Sequence, residues 1–324
     1  MDRATRPAGT DFRYEFHDSW ARLPDGWRIG DVGGVAVDLD DHVYVFNRGA
    51  HPMMVFDRTG ELIDAWGEDE FTSPHGLHLG WDGHLYCTDD GDHTVRKFDI
   101  HGKLLLEIGM PGQPSGFMSG LPFNRCTHSA LSPSGEIYVC DGYRNACVHC
   151  FSSGGKLLRT WGKSGSGQGE FYVPHNLLCD RAGTVYVADR ENHRIQLFDA
   201  SGRWRAQWND LHRPMALCMQ ERADGAPPIV YVGEAGPLYN ASFPRLGPRI
   251  SVLDAEGCLL ARFGDTGFGH APDRLMAPHG IAVDSQGDLY VGEVAHAAWP
   301  SMYPGEPLPP DLRTLRKLKR VMRN

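Results

Sequence analysis

The sequence has no apolar run near the ~18 residues that a membrane-spanning helix requires, so no membrane partner is expected. It also lacks an excess of positive charge: 32 Lys and Arg stand against 41 Asp and Glu, a formal net charge of −9. Binding a phosphate backbone needs a concentrated basic face, so nucleic acid is not an expected partner either. The first residues lack the apolar core of a secretory leader, which points to a cytoplasmic protein. Eight cysteines are present, mostly inside expected strands, where reduced, buried thiols suit that compartment. Cys147-Val148-His149-Cys150 has the look of a metal clip. Strand alternation, however, puts Cys147 and His149 on one face and Cys150 on the other, and the buried-thiol reading is preferred.

What the chain does have is a repeated phrase. Pro74-His75-Gly76-Leu77 returns as Pro174-His175-Asn176-Leu177 and again as Pro278-His279-Gly280-Ile281. Each copy opens a short apolar strand (Leu77–Leu79, Leu177–Cys179, Ile281–Val283), followed by an acidic, Gly-containing turn and a second strand. A third strand then ends in Phe-Asp or similar, and a fourth in Trp-Gly or Phe-Gly. Six such units begin near Gly34, Gly76, His128, Asn176, Met215 and Gly280. Four strands in a period of roughly 40–60 residues are the mark of a propeller. The expected fold is therefore all-β, a six-bladed β-propeller spanning residues 1–324 as one domain. The last unit lacks its fourth strand, and the N-terminus has a spare one at about Tyr14–Arg22. Pairing the two closes the ring and removes both exposed edges. The basic segment Leu312–Arg323 reads as an amphipathic helix or a strand. Thr314-Leu315-Arg316-Lys317-Leu318 echoes Thr94-Val95-Arg96-Lys97-Phe98, which favours the strand.

In a four-strand meander the start of strand one and the end of strand two share a rim. The long connections at about 111–124, 234–248, 263–277 and 293–311 gather on that rim as walls or lids. Their aromatics Tyr239, Phe243, Trp299 and Tyr303 either line an apolar pocket or pack the loops on themselves. His75, His175 and His279 come from alternate units and converge on the axis. Three neutral imidazoles with a vacant fourth position form the catalytic zinc pattern, which other divalent ions share. His128 opens unit three without the proline, as an outer-shell or substrate-facing group. The ends of the second strands add Arg48, Asp141-Gly142-Tyr143 and Asp189-Arg190-Glu191-Asn192, with Arg194, Glu234 and Glu293 as further outer-shell or substrate candidates. Arginine suits a carboxylate substrate, and a tyrosine beside two arginines and a dication suits a general base. The expected partner is thus a small molecule carrying a carboxylate, hydroxyl or amide. Asp89, Asp141 and Asp189 are expected to hold turn amides.

With these motifs in place the chain resembles the peptidyl-α-hydroxyglycine α-amidating lyase family of NHL-repeat propellers. The likeness rests on Gly34-Val35-Ala36-Val37-Asp38 with Arg48, the three Pro-His segments, Asp141-Gly142-Tyr143, and Val187-Ala188-Asp189-Arg190-Glu191-Asn192 with Arg194. It implies zinc on His75, His175 and His279, and catalytic roles for Tyr143, Arg48 and Arg190. The implied reaction cleaves a carbinolamide C–N bond to give an amide and glyoxylate. Some family features are replaced. Gly280 stands where the family has a calcium-binding aspartate, which leaves the backbone carbonyls of Val35 and Leu77 without a charged co-ligand. Ala277 replaces a methionine and is expected to widen the pocket. Arg144 replaces a cysteine, so the family disulfide cannot form. The alternatives are a metal-dependent hydrolase or lactonase on the same ring, and a non-catalytic NHL interaction scaffold.

Overall fold

Second strands such as Val43–Asn47 are apolar at nearly every position because both of their faces are covered. Period-two alternation sends Val43 and Val45 into a core with Tyr290 and Ala282, and Tyr44 and Phe46 into another with Leu77 and Cys87. Each core therefore lies between two neighbouring sheets, and a chain of such cores makes a ring. The computed structural model describes residues 12–17, 19–222, 225–236, 246–264 and 269–321. It contains six four-stranded antiparallel sheets, the blades of a β-propeller. Blade one is Val32–Val37, Val43–Asn47, Met53–Phe56 and Leu62–Trp66. The first strands of blades two to six are Pro74–Leu79, His128–Leu131, Pro174–Cys179, Pro214–Gln220 and Pro278–Val283. Aspartates shape the hairpins between strands one and two. Asp284 accepts the amides of Gln286 and Asp288, and Gly287 takes the φ of 82° that the turn requires.

The ring closes where Tyr14–Phe16 pairs with Leu318–Arg320 beside Leu289–Glu293 and Pro278–Val283. The closing strand is shorter than the expected 14–22. Beyond it Trp20 turns to pack on Phe56 and Tyr290, covering the seam between blades six and one. Leu315–Arg320 is a strand, as its echo of unit two indicated.

The connection after Glu293 holds an unforeseen α-helix, Ala295–Met302. Asp31 of blade one accepts the amides of His296 and Ala297 at the start of that helix. Trp299 is buried, stacks on Tyr303 at 4.2 Å between centroids and donates to the Glu306 carbonyl. These aromatics pack the loop on itself; Tyr239 and Phe243 lie outside the described residues. Ala277 does not widen a pocket, because it is buried against Met215, Ala235 and the helix's Ala298. No helix among the described residues is long and apolar enough to cross a membrane.

Candidate metal centre and active site

Each of the three Pro-His phrases breaks the hydrogen-bond register between its first and second strands. The shift falls between Pro74 and Gly76, between Pro174 and Asn176, and between Pro278 and Gly280. The histidine is thus the extra residue of a β-bulge, unpaired in the ladder and free to be re-aimed. All three imidazoles turn to the axis, with ring centroids 4.5 to 5.0 Å apart and candidate ligand atoms within 4.8 Å of one another.

Each imidazole is held from the next blade. His75 Nδ1–H donates to the Thr127 carbonyl at 2.5 Å, His175 to Met215 at 2.8 Å and His279 to Gly33 at 2.7 Å. A carbonyl accepts only, so Nδ1 carries the hydrogen and each Nε2 presents a lone pair. Burial, then the charge of Arg48, drives His75 well below the ordinary histidine pKa. Burial and Arg190 do the same to His175, and burial, His75 and Arg48 to His279. The donor set is therefore three neutral nitrogens of fixed tautomer, which fits zinc or a similar divalent ion.

Tyr143 completes the centre. Its Oη lies 2.8 Å from His75 Nε2 and 3.1 Å from His175 Nε2. Gly142 makes this approach possible, since a Cβ there would clash with the Pro174 carbonyl oxygen. Arg190, in the 3₁₀ turn Arg190–Asn192, stands over the Tyr143 ring at 5.6 Å and pairs with Glu191 at 2.8 Å. Arg48 Nε donates to the Pro74 carbonyl, and among the described residues Arg48 has no carboxylate partner.

One residue of this cluster escaped the sequence reading. Arg125 also stands over the Tyr143 ring, at 5.0 Å, and is anchored by Asp90. Its signal was register. Thr127, not His128, is the blade-three counterpart of His75, because His128 pairs with Cys140 as Gly76 pairs with Thr88. Arg125 therefore occupies the position just before the Pro-His pair, as Arg213 does in blade five.

That offset corrects the expectation for His128. The outer-shell contact from blade three is the Thr127 carbonyl, while the His128 ring packs beside Gly76 with Nδ1 unbonded, and burial pushes it down to about 3. Arg194, Glu234 and Glu293 are likewise not part of the centre. Arg194 bonds Asp189 and the carbonyls of Gly167 and Glu170. Glu234 accepts from Arg249, Ser251 and the His212 amide. Glu293 accepts the Met276 and Ala277 amides and pairs with Arg316. Neighbouring groups claim these side chains within the blade before they can reach the axis. Calcium does not fit either. Gly280 offers no carboxylate beside Val35 and Leu77, and a Cβ there would come within 2.9 Å of Gly34 Cα and the Val35 nitrogen.

Fold and centre together define a six-bladed propeller with an axial cluster of three imidazoles. The NHL repeat profile matches residues 171–198. NHL repeat-containing protein 3 of Mus musculus is 32% identical over 314 residues, covering 87% of this chain and 85% of that protein. The chain belongs to the NHL-repeat propeller family. It is also similar to peptidyl-glycine alpha-amidating monooxygenase B of Xenopus laevis, 29% identical over 306 residues, 84% of this chain and 34% of that protein. It thus spans about a third of the length of that relative. The probable peptidyl-alpha-hydroxyglycine alpha-amidating lyase pgal-1 of Caenorhabditis elegans is 30% identical over 202 residues, 53% of this chain and 56% of that protein. Among solved structures, a streptogramin B lyase superposes with a TM-score of 0.58 at 13% identity, covering 96% of this chain and 98% of that one, a likeness of fold alone.

Proposed function

We propose that this chain is a metal-dependent lyase that cleaves a small carbinolamide, such as an α-hydroxyglycine amide, into an amide and glyoxylate. The observation that carries the reading is the juxtaposition of three tautomer-locked Nε2 atoms with the Tyr143 Oη, which lies within hydrogen-bond distance of two of them. Relatives named as amidating lyases and monooxygenases support it. The NHL repeat-containing protein 3 relative is named for its repeat and is neutral on chemistry.

His75, His175 and His279 would hold the ion, with zinc the natural occupant of an all-imidazole set. A bound divalent ion there would polarise a substrate oxygen as a Lewis acid. Tyr143 Oη is within reach of the same space and, as the phenolate, accepts the proton of the substrate hydroxyl. The carbon–oxygen double bond of glyoxylate forms as the C–N bond breaks. The released electron pair goes to nitrogen, which takes up a proton to leave as the amide. Arg48, with no carboxylate partner among the described residues, grips the substrate carboxylate through its guanidinium fork. Arg190 and Arg125 orient the phenol ring between them and keep the local field positive.

Metal quantification on the purified protein tests the reading first, followed by an assay of glyoxylate release from a small α-hydroxyglycine amide. Metal at the centre with glyoxylate released is the expected result. Full turnover by metal-free protein, or no cleavage by the loaded protein, would sink it.

A further inference from the structure

Blade three departs from its neighbours where its second strand ends. Elsewhere an acid at that place is accompanied by a guanidinium from strand three: Arg96 pairs with Asp92 beside Asp89, Arg194 with Asp189, Arg249 with Glu234 and Arg316 with Glu293. Blade one ends this strand in the neutral Asn47 and needs no cation. Asp141 of blade three is fully buried, yet no arginine pairs with it among the described residues. Its hydrogen bonds from Asn124 N–H and Asn145 Nδ2 come from neutral donors.

The two strand-three positions that carry the arginine elsewhere hold Cys147 and His149: Cys147 stands where blades four and five have Arg194 and Arg249, and His149 where blades two and six have Arg96 and Arg316. Asp141 pairs with Cys147 as Asp189 pairs with Arg194 and Glu234 with Arg249. His149, two residues on and on the same face, closes the group. Its Nε2 lies 3.4 Å from Asp141 Oδ2 and 3.5 Å from Cys147 Sγ. Those separations are long for hydrogen bonds from an imidazole. They match the edges of a tetrahedron around zinc, where bond lengths near 2.0 Å to N or O and 2.3 Å to S put ligand atoms about 3.3 and 3.5 Å apart. His149 Nδ1 is engaged by Thr160 Oγ1 at 2.8 Å, the kind of outer contact that steers a metal-bound imidazole. All three candidate ligands are at most 2% exposed.

We propose that Asp141, Cys147 and His149 form a second, buried metal site for zinc or a similar borderline-soft divalent ion, which stands in for the arginine of the other blades. Carboxylate, thiolate and dication sum to zero charge, and the thiol proton is released to solvent on binding. The site shares no ligand with the axial centre.

Cobalt(II) substitution in a Cys258→Ser background, which removes the exposed thiol, tests the assignment. A thiolate ligand gives cobalt a near-ultraviolet charge-transfer absorption, and an all-imidazole set gives none. The expected result is that absorption in the otherwise wild-type protein. It should persist when His75, His175 and His279 are all replaced by Ala, with about one equivalent of metal remaining. Cys147→Ser should remove the absorption and one equivalent of metal; if that variant does not fold, His149→Gln and the background spectrum carry the test. Absence of the absorption from the background protein, or metal content and spectrum unchanged by Cys147→Ser, would overturn the proposal.

Discussion

Blades two, four and six each send an imidazole to the axis, whereas blades one, three and five each send a backbone carbonyl to meet it. The backbone barely distinguishes the two sets. The bulge that frees His75, His175 and His279 also occurs between Val32 and Gly34 and between Pro214 and Ala216. One local geometry thus serves two purposes, and side-chain identity alone reduces a six-fold scaffold to a three-fold site. The teaching is that ligands and their outer shell come from alternate copies of the same position. The two sets should therefore respond very differently to substitution.

The largest effect belongs to the even blades. Removing one ligand, as in His175→Ala, should abolish bound metal and, by losing several kcal/mol of transition-state stabilisation, cut turnover by about 10³-fold or more. Metal analysis and glyoxylate release measure both. A metal-free variant with full activity would take the ion out of the mechanism. Next is Tyr143→Phe, which leaves the imidazoles intact. For the lyase, kcat should fall by roughly 10²–10⁴ with metal content unchanged, the usual cost of a lost acid–base group. A mild effect would instead favour hydrolysis in which Tyr143 takes no proton.

The guanidinium groups divide in a similar way. Arg190 is already committed to Glu191 and the Tyr143 ring, whereas among the described residues Arg48 is not committed to any carboxylate. Arg48→Lys keeps the charge and loses the fork. It should raise KM for a carboxylate substrate by about tenfold with a smaller change in kcat. An equal loss with an uncharged analogue would argue against a carboxylate grip.

A gentler contrast concerns protonation. Burial pushes His78 down to about 4 and His128 to about 3, while in the unfolded chain both titrate near 6.5. A lowered folded pKa means that below 6.5 the unfolded state binds protons that the native state refuses. Stability is therefore full above that pH and declines as pH falls towards the folded values. Each histidine contributes about 1.4 kcal/mol per pH unit across this window. Urea midpoints of metal-free protein between pH 7 and pH 5 should show the decline, and His78→Gln should reduce its slope. A slope unaffected by that change would mean His78 does not resist protonation.

The blade count, the ring closure and the triad were all legible in the sequence, because each is carried by side chains in a repeated phrase. What was not legible depends on the backbone or on distant partners. The carbonyls of Gly33, Thr127 and Met215 have no residue identity to read. The true register of blade three appears only once His128 is seen opposite Cys140, and the slip of one residue concealed Arg125. Strand periodicity put Glu234 and Glu293 on the correct rim, yet it could not show that Arg249 and Arg316 hold them there. The helix Ala295–Met302 contains Pro300 and takes its N-terminal acceptor from Asp31, 265 residues earlier than His296. Local propensity alone would not form it.

The smallest expected effect is the most pointed for the comparison of blades. Met215 lies in blade five at the position that His175 holds in blade four, and only its carbonyl touches the centre. Met215→Leu conserves side-chain volume against Ala235, Ala277 and Ala298, keeps the carbonyl, and should cost under about 1.5 kcal/mol of stability. Outer-shell groups that are truly lost typically reduce metal affinity about 10–100-fold. Here the acceptor survives, so metal affinity should stay within roughly threefold of wild type, well short of that range. Competition with a chelator would measure it. A loss as large as that of His175→Ala would mean that the side chains of the odd blades shape the centre after all, and that the division between ligand blades and carbonyl blades is wrong.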